Sequence, residues 1–136
     1  MYKRQGITGW RLPSAKLIGN TADSNDGSTD GGYNNLRSEM GRMYYLYLGN
    51  LGSLDINGNS QDVGSFKTSL IDSVSIENLK SGYWLDEERA DKTNVAWAFL
   101  TNQSASQGLQ NDYVKLDPNP FGWAVHDGDV TDSATE

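Results

Sequence analysis

The 136-residue chain contains no cysteine, and this absence excludes several kinds of site at once. A disulfide framework, a thiolate zinc site, an iron–sulfur cluster and a cysteine nucleophile all require that residue. Histidine is scarce too, since His126 is the only one. No Gly-x-Ser-x-Gly, phosphate-loop or dinucleotide motif accompanies it. We therefore expect that the protein is not an enzyme.

Positive charge and long apolar runs are also scarce. Lys and Arg number 11 against 18 Asp and Glu, which gives a net charge of −7. A phosphate backbone is bound by several cations on one face, so we expect no nucleic-acid partner. No segment approaches the roughly 20 apolar residues that a membrane-spanning helix needs, so we expect no membrane span.

Apolar residues make up only 36% of the chain, whereas Gly, Ser, Asp and Asn together account for 54 of the 136 residues. These four types favour turns, caps and loops, which argues against a mostly helical fold. At this length we expect a single domain over residues 1–136. Large rings must supply much of its buried area. We expect all four tryptophans in the core: Trp10, Trp84, Trp97 and Trp123.

Helical signals come early in the chain. Ser14 and Gly19 can cap and close a short helical turn within residues 10–19. Residues 20–35 contain almost no side chain suited to burial, which predicts a surface loop. A clearer helix follows, with Asn35 as its cap and Gly49 at its end. Its apolar residues recur at helical spacing, at Leu36, Met40, Met43, Tyr44 and Tyr47.

Strand signals come late in the chain. Short runs rich in aromatic and β-branched residues occupy 83–85, 95–100, 113–116 and 122–125. In the second run large side chains alternate with Ala96 and Ala98, so one face is bulky and the other permits close packing. The whole pattern predicts an α+β fold with short helices early and a twisted, mostly antiparallel sheet late.

Six short motifs follow one another in an order that is similar to a known family. They are Gly-Trp-Arg-Leu-Pro-Ser at 9–14, Ser-Glu-Met-Gly at 38–41, Leu-Gly-Asn at 48–50, Tyr-Trp at 83–84, Ala-Trp-Ala-Phe at 96–99 and Trp-Ala-Val at 123–125. Together they resemble the DUF1566 family, also called the Lcl C-terminal domain family, from about residue 6 to about residue 129. The resemblance implies a C-type-lectin-like fold and a secreted or surface-attached bacterial protein. The founding member's domain binds sulfated glycosaminoglycans.

The chain departs from the family pattern after the Tyr-Trp motif. Where the family has small hydroxyl residues, this chain has Leu85, Asp86, Glu87 and Glu88. We expect these adjacent carboxylates to be solvated rather than to form an acid–base pair. Sulfated sugars need a cationic face, so a net charge of −7 argues against them as ligands here.

Two loops space oxygen ligands at alternating positions, as calcium requires, at residues 23–30 and 55–62. Neither completes the EF-hand pattern, because Gly27 and Phe66 occupy positions where a ligand belongs. Ordinary Asx and Gly turns are the alternative, and Asn-Gly at 57–58 favours an exposed hairpin turn. We expect no cofactor beyond this calcium alternative. Its candidate ligands are Asp23, Asn25, Asp55, Asn57 and Asn59.

Aromatic residues in polar surroundings can stack on sugar rings. Tyr33, Tyr113 and Phe121 are the candidates, with Asn119 placed to bind hydroxyl groups. These residues and the family resemblance predict a non-enzymatic extracellular or cell-surface recognition module. Its expected partner is a glycan or another surface ligand.

The two ends of the chain carry opposite charges, which suggests an alternative function. Residues 1–18 hold four Lys and Arg and no acid, whereas the acidic C-terminal tail, residues 127–136, holds four acids and no Lys or Arg. The ends are either solvated or attract each other, within one chain or between subunits. Attraction between subunits, together with strand exchange, predicts a homo-oligomeric structural subunit that assembles into an extracellular filament or lattice.

Overall fold

The computed structural model describes residues 9–64, 67–68, 80–89, 91–101, 106–117 and 120–127. Within them one helical turn, α1 (Glu39–Gly41), continues directly into a π-helical segment (Arg42–Tyr47). The described strands are β1 (Asp23–Ser24), β2 (Gly31–Gly32), β3 (Gly82–Arg89), β4 (Lys92–Leu100) and β5 (Gln110–Val114). Among the described residues, no helix is long and apolar enough to cross a membrane.

The five strands form one mixed sheet in the order β1-β2-β5-β4-β3. The two short strands β1 and β2 pair in parallel, and every other neighbouring pair is antiparallel. A short helix therefore precedes the three long strands, and the expected α+β class is confirmed at this level. β3 is an edge strand of the sheet and forms an antiparallel hairpin with β4. The residue pair nearest the turn of this hairpin is Arg89 with Lys92.

The core lies against one face of β4. Val95, Trp97 and Phe99 alternate along the strand, and all three are buried, as the period of two predicts. The Phe99 ring lies 5.5 Å from that of Tyr44, which the π-helical segment contributes. Replacing a fully buried Trp by Ala costs about 3–5 kcal/mol, so Trp97 is a main source of stability.

The helix predicted for the region 36–47 differs from the one observed. It begins at Glu39, because the Ser38 hydroxyl accepts the Gly41 N–H at 2.9 Å, and Asn35 is therefore not the cap. From Arg42 the helix has the wider turns of a π-helix, so the Leu48 N–H donates to Met43 O five residues earlier. Leu36 lies before the helix and is 44% exposed, and the wider turns break the 3.6-residue stripe, so Tyr47 is 52% exposed.

Two predictions about the first 35 residues are wrong. Residues 10–19 form no helical turn, because the Ser14 backbone bonds to Glu39 instead. Residues 20–35 are not simply a surface loop, since Asp30 and Asn35 are each 1% exposed. The Asp30 carboxylate accepts the N–H groups of Ile18 and Gly19, so this buried polar side chain has its hydrogen bonds satisfied, while other residues of the segment, such as Asp26, are exposed.

The late strands are placed almost as predicted, with one exception. β3 and β4 contain the runs at 83–85 and 95–100, and β5 covers part of 113–116. The predicted strand at 122–125 is wrong. This stretch makes single bridges only, from Val125 to Arg11 and, just before it, from Phe121 to Tyr83.

Candidate functional site

Two adjoining hollows lie on the surface beside β3. The bulge hollow has a volume of about 320 Å³ and is lined by Leu12, Trp84, Leu85, Asp86, Glu87, Glu88, Ala96 and Lys115. The tryptophan hollow has a volume of about 380 Å³ and is lined by Trp10, Arg11, Leu12, Gly122, Trp123 and Ala124. Leu12 lines both, so the two hollows meet at this side chain and together form one candidate surface.

The bulge hollow arises from a break in the pairing of β3 with β4. Trp84 pairs with Ala98, and Glu88 pairs with Ala96. Four residue steps along β3 therefore lie opposite only two along β4. Such a bulge bends its strand and redirects the side chains within it. Asp86, Glu87 and Glu88 are all exposed there, and the small side chain of Ala96 leaves open space opposite them.

The three carboxylates of the bulge hollow differ in their partners. Asp86 accepts the Ala15 N–H at 3.0 Å with one oxygen. Glu88 forms an ion pair with the Lys115 ammonium. Among the residues that the structure describes, Glu87 forms no hydrogen bond or ion pair. The carboxylates are exposed, as expected, but the sequence did not indicate that they line a concave surface beside Trp84.

The tryptophan hollow is built from rings that we expected in the core. Trp10 is 44% exposed and packs edge-on against His126, with ring centroids 5.2 Å apart. Trp123 is half-buried and tilts against Tyr83 at 5.0 Å. With Trp84 also half-buried, only Trp97 is a core tryptophan. Tyr44, Phe99 and Trp97 fill the interior, and Trp123 packs against this core from the outside while part of its ring stays accessible.

Arg11 lines the tryptophan hollow, and its charge is already compensated. Its guanidinium donates to both oxygens of Glu39, at 2.5 and 3.0 Å, and to Asp127 at 2.7 Å. These bonds raise the pKa of Arg11, and the bond from Arg11 lowers the pKa of Glu39. A guanidinium held by two carboxylates is poorly available to a sulfate group, in agreement with the charge argument from the sequence.

The aromatic residues predicted to bind a ligand line neither hollow. Tyr33 is half-buried, and burial raises the pKa of Tyr113. Phe121 is 46% exposed, and the Lys80 ammonium lies 5.4 Å from its ring centroid. Asn119 lies outside the described residues. The sequence feature that lies on the observed surface is the acidic run at Asp86, Glu87 and Glu88, which the sequence led us to interpret as solvated.

The two loops considered for calcium lie side by side. The Asn34 amide donates to Asn25 O at 2.7 Å and to Leu54 O at 3.2 Å, which joins them. Asp55 accepts the N–H groups of Asn57 and Asn59, both at 2.9 Å, so the predicted turn at Asn-Gly is confirmed as an Asx turn. Within the described part of the chain, no cluster of three acidic or histidine side chains is placed to hold a metal ion. Calcium at Asp23 or at the other candidate ligands stays a prediction.

Comparison of the chain with protein-family models, with curated proteins and with solved structures finds no match. The resemblance to the DUF1566 family therefore stays a prediction.

Proposed function

We propose that the protein is a non-enzymatic recognition module that binds glycans on the candidate surface formed by the two hollows. One observation carries the proposal, namely that three of the four tryptophans border this surface while the fourth fills the core. A sugar ring presents C–H groups on its faces and hydroxyls around its rim. Half-exposed aromatic rings match such faces, and nearby carboxylates accept hydrogen bonds from the hydroxyls.

The dimensions of the surface agree with this ligand class. Each hollow has a volume near the lower end of the range for small-ligand sites, and Leu12 lies between the two. An oligosaccharide can place one unit in each hollow. The surface is also held in place, since the main-chain N–H of Trp84 donates to Phe121 O at 2.9 Å and the Trp123 ring packs on Tyr83. A preformed aromatic surface loses little entropy when it binds.

An extracellular or cell-surface location and a C-type-lectin-like fold are further parts of this proposal. Both come from the resemblance to the DUF1566 family, whose members are surface proteins. The charge of −7 separates this chain from the family's sulfated ligands. The geometry favours neutral or cationic sugars instead.

An array of immobilised oligosaccharides, probed with the full chain, tests the proposal. We expect specific binding that Trp84→Ala weakens by more than tenfold, because a central aromatic contact is lost. Ile56→Ala is the matched control, since Ile56 is 64% exposed and lines neither hollow. Absence of any binder, or equal loss in both variants, would contradict a glycan-binding role for this surface.

A further inference from the structure

The bulge hollow combines an aromatic ring with uncompensated negative charge. Three carboxylates and one ammonium line it, and that ammonium, Lys115, already pairs with Glu88. Asp86 uses one oxygen for the Ala15 N–H, and Glu87 has no hydrogen-bond or ion-pair partner among the described residues. Two carboxylates therefore retain acceptor capacity toward a ligand.

Trp84 lines the same hollow and adds a second attraction for a cation. The face of an indole ring is electron-rich and attracts an ammonium group more strongly than any other aromatic side chain does. A ligand cation in this hollow is attracted by the ring and by the carboxylates together. The ring also presents an apolar surface to the carbon skeleton that carries the cation.

The tryptophan hollow next to it has a different character. Among the residues that the structure describes, no carboxylate lines it, and the Arg11 guanidinium at its margin is held by Glu39 and Asp127. A neutral ring with apolar faces suits it better than a second charged group. The complete surface is therefore complementary to a ligand that carries an ammonium group beside a neutral, amphipathic ring.

We propose that the bulge hollow recognises the protonated amine of an amino sugar, in a glycan whose next unit stacks in the tryptophan hollow. This inference rests on the proposed glycan-binding function and specifies its ligand. An oligolysine peptide also offers ammonium groups, but it brings no rigid neutral ring to the tryptophan hollow. We therefore assign the surface to a glycan that contains free glucosamine-type units.

Calorimetric titration of the full chain at pH 6 tests the assignment with two hexasaccharides of equal length. One alternates glucosamine, whose amines are protonated at this pH, with N-acetylglucosamine, and the other contains only uncharged N-acetylglucosamine. We expect the glucosamine-containing hexamer to bind on the order of tenfold more tightly. Glu87→Gln should weaken its binding about fivefold and leave the N-acetylglucosamine hexamer unaffected. Asp26→Asn removes a charge from an exposed loop elsewhere and should change neither affinity.

The outcomes separate this inference from the function on which it rests. Equal affinity for the two hexamers leaves glycan binding intact and overturns the amino-sugar assignment. If Glu87→Gln and Asp26→Asn weaken the binding of the charged hexamer equally, the net charge of the protein attracts the ligand. That result overturns the assignment to this hollow. If hexalysine binds as tightly and is equally sensitive to Glu87→Gln, the ligand is a cationic peptide. If neither hexamer binds and the oligosaccharide array is also negative, the proposed function itself is wrong.

Discussion

Glu39 shows how one side chain connects α1 to the backbone segment that forms one wall of the tryptophan hollow. Its carboxylate accepts from the Arg11 guanidinium and from the Ser14 N–H, while its own N–H donates to Ser14 O. The backbone of residues 11–14 is thereby fixed to the start of α1. Because Arg11 lines the tryptophan hollow, the shape of that surface depends on an ionised Glu39.

The pH dependence of stability follows from this carboxylate. The bond from Arg11 holds the pKa of Glu39 below its ordinary value of 4.5. The stabilisation that the ionised Glu39 gives to the folded protein is therefore complete above pH 4.5, and it is lost as the pH falls through the lowered pKa. We expect Glu39→Gln to lower the free energy of unfolding by about 1 kcal/mol at pH 7, a figure reduced for solvent screening at this half-exposed pair.

Urea unfolding of the wild type and Glu39→Gln from pH 7 to pH 3 measures this effect. The difference between the two should shrink as the pH falls below 4.5, because a protonated Glu39 resembles Gln. Glu87→Gln is the control and should stay within about 0.5 kcal/mol of the wild type. A difference that does not change with pH would mean that the ion pair is not the source of the stabilisation.

At the scale of elements, the π-helical segment is held in place by hydroxyl groups. The Tyr45 hydroxyl donates to Gly108 O at 2.7 Å and accepts the Asn34 N–H at 3.0 Å. Burial raises the pKa of Tyr45, so the hydroxyl stays protonated and able to donate. The segment is thus connected to two distant loops through one oxygen atom.

We expect Tyr45→Phe to lower the free energy of unfolding by about 1–3 kcal/mol, because it leaves the Asn34 N–H and the Gly108 carbonyl without this partner. Tyr47→Phe provides a matched control on the same segment, since Tyr47 is 52% exposed, and should change stability by less than about 0.5 kcal/mol. Thermal or urea unfolding measures both. Similar effects of the two substitutions would contradict the role given to the Tyr45 hydroxyl.

The sequence predicted those elements whose cause is local. The strand run at 95–100 and the Asn-Gly turn depend on neighbouring residues, and both are confirmed. Burial of parts of residues 20–35 depends on distant partners, as when the Gln110 amide donates to Asp30 O across 80 positions. The bulge hollow depends on the register of β3 against β4, which neither strand reveals alone. The site residues were therefore missed although the strands were found.

At the scale of the whole molecule, two features indicate that the chain ends and the outer edge of β3 are paired within one chain. They argue against exchange of a strand between copies. Arg11 pairs with Asp127 and bridges to Val125, so oppositely charged segments from the two ends meet intramolecularly. At the outer edge of β3, the Trp84 and Asp86 N–H groups already donate to Phe121 O and Pro13 O. Those positions of the edge are unavailable to a strand from another copy.

We therefore expect a particle mass that does not change with concentration, and light scattering over a hundredfold range measures it. Raising the salt concentration should not change this mass either, because screening acts on an intramolecular pair. A mass that rises with concentration, or fibres in the electron microscope, would support the alternative of a self-assembling structural subunit.

The contrast between Trp97 and the other three tryptophans has an optical consequence. Trp97 is 1% exposed, so a neutral quencher such as acrylamide reaches its indole poorly, whereas Trp10 is exposed and Trp84 and Trp123 are partly exposed to it. The emission of the protein divides into a constant internal reference and a component that reports on the two hollows. A bound oligosaccharide would shield that second component from acrylamide and leave the first unchanged, so occupancy of the surface can be measured without any label.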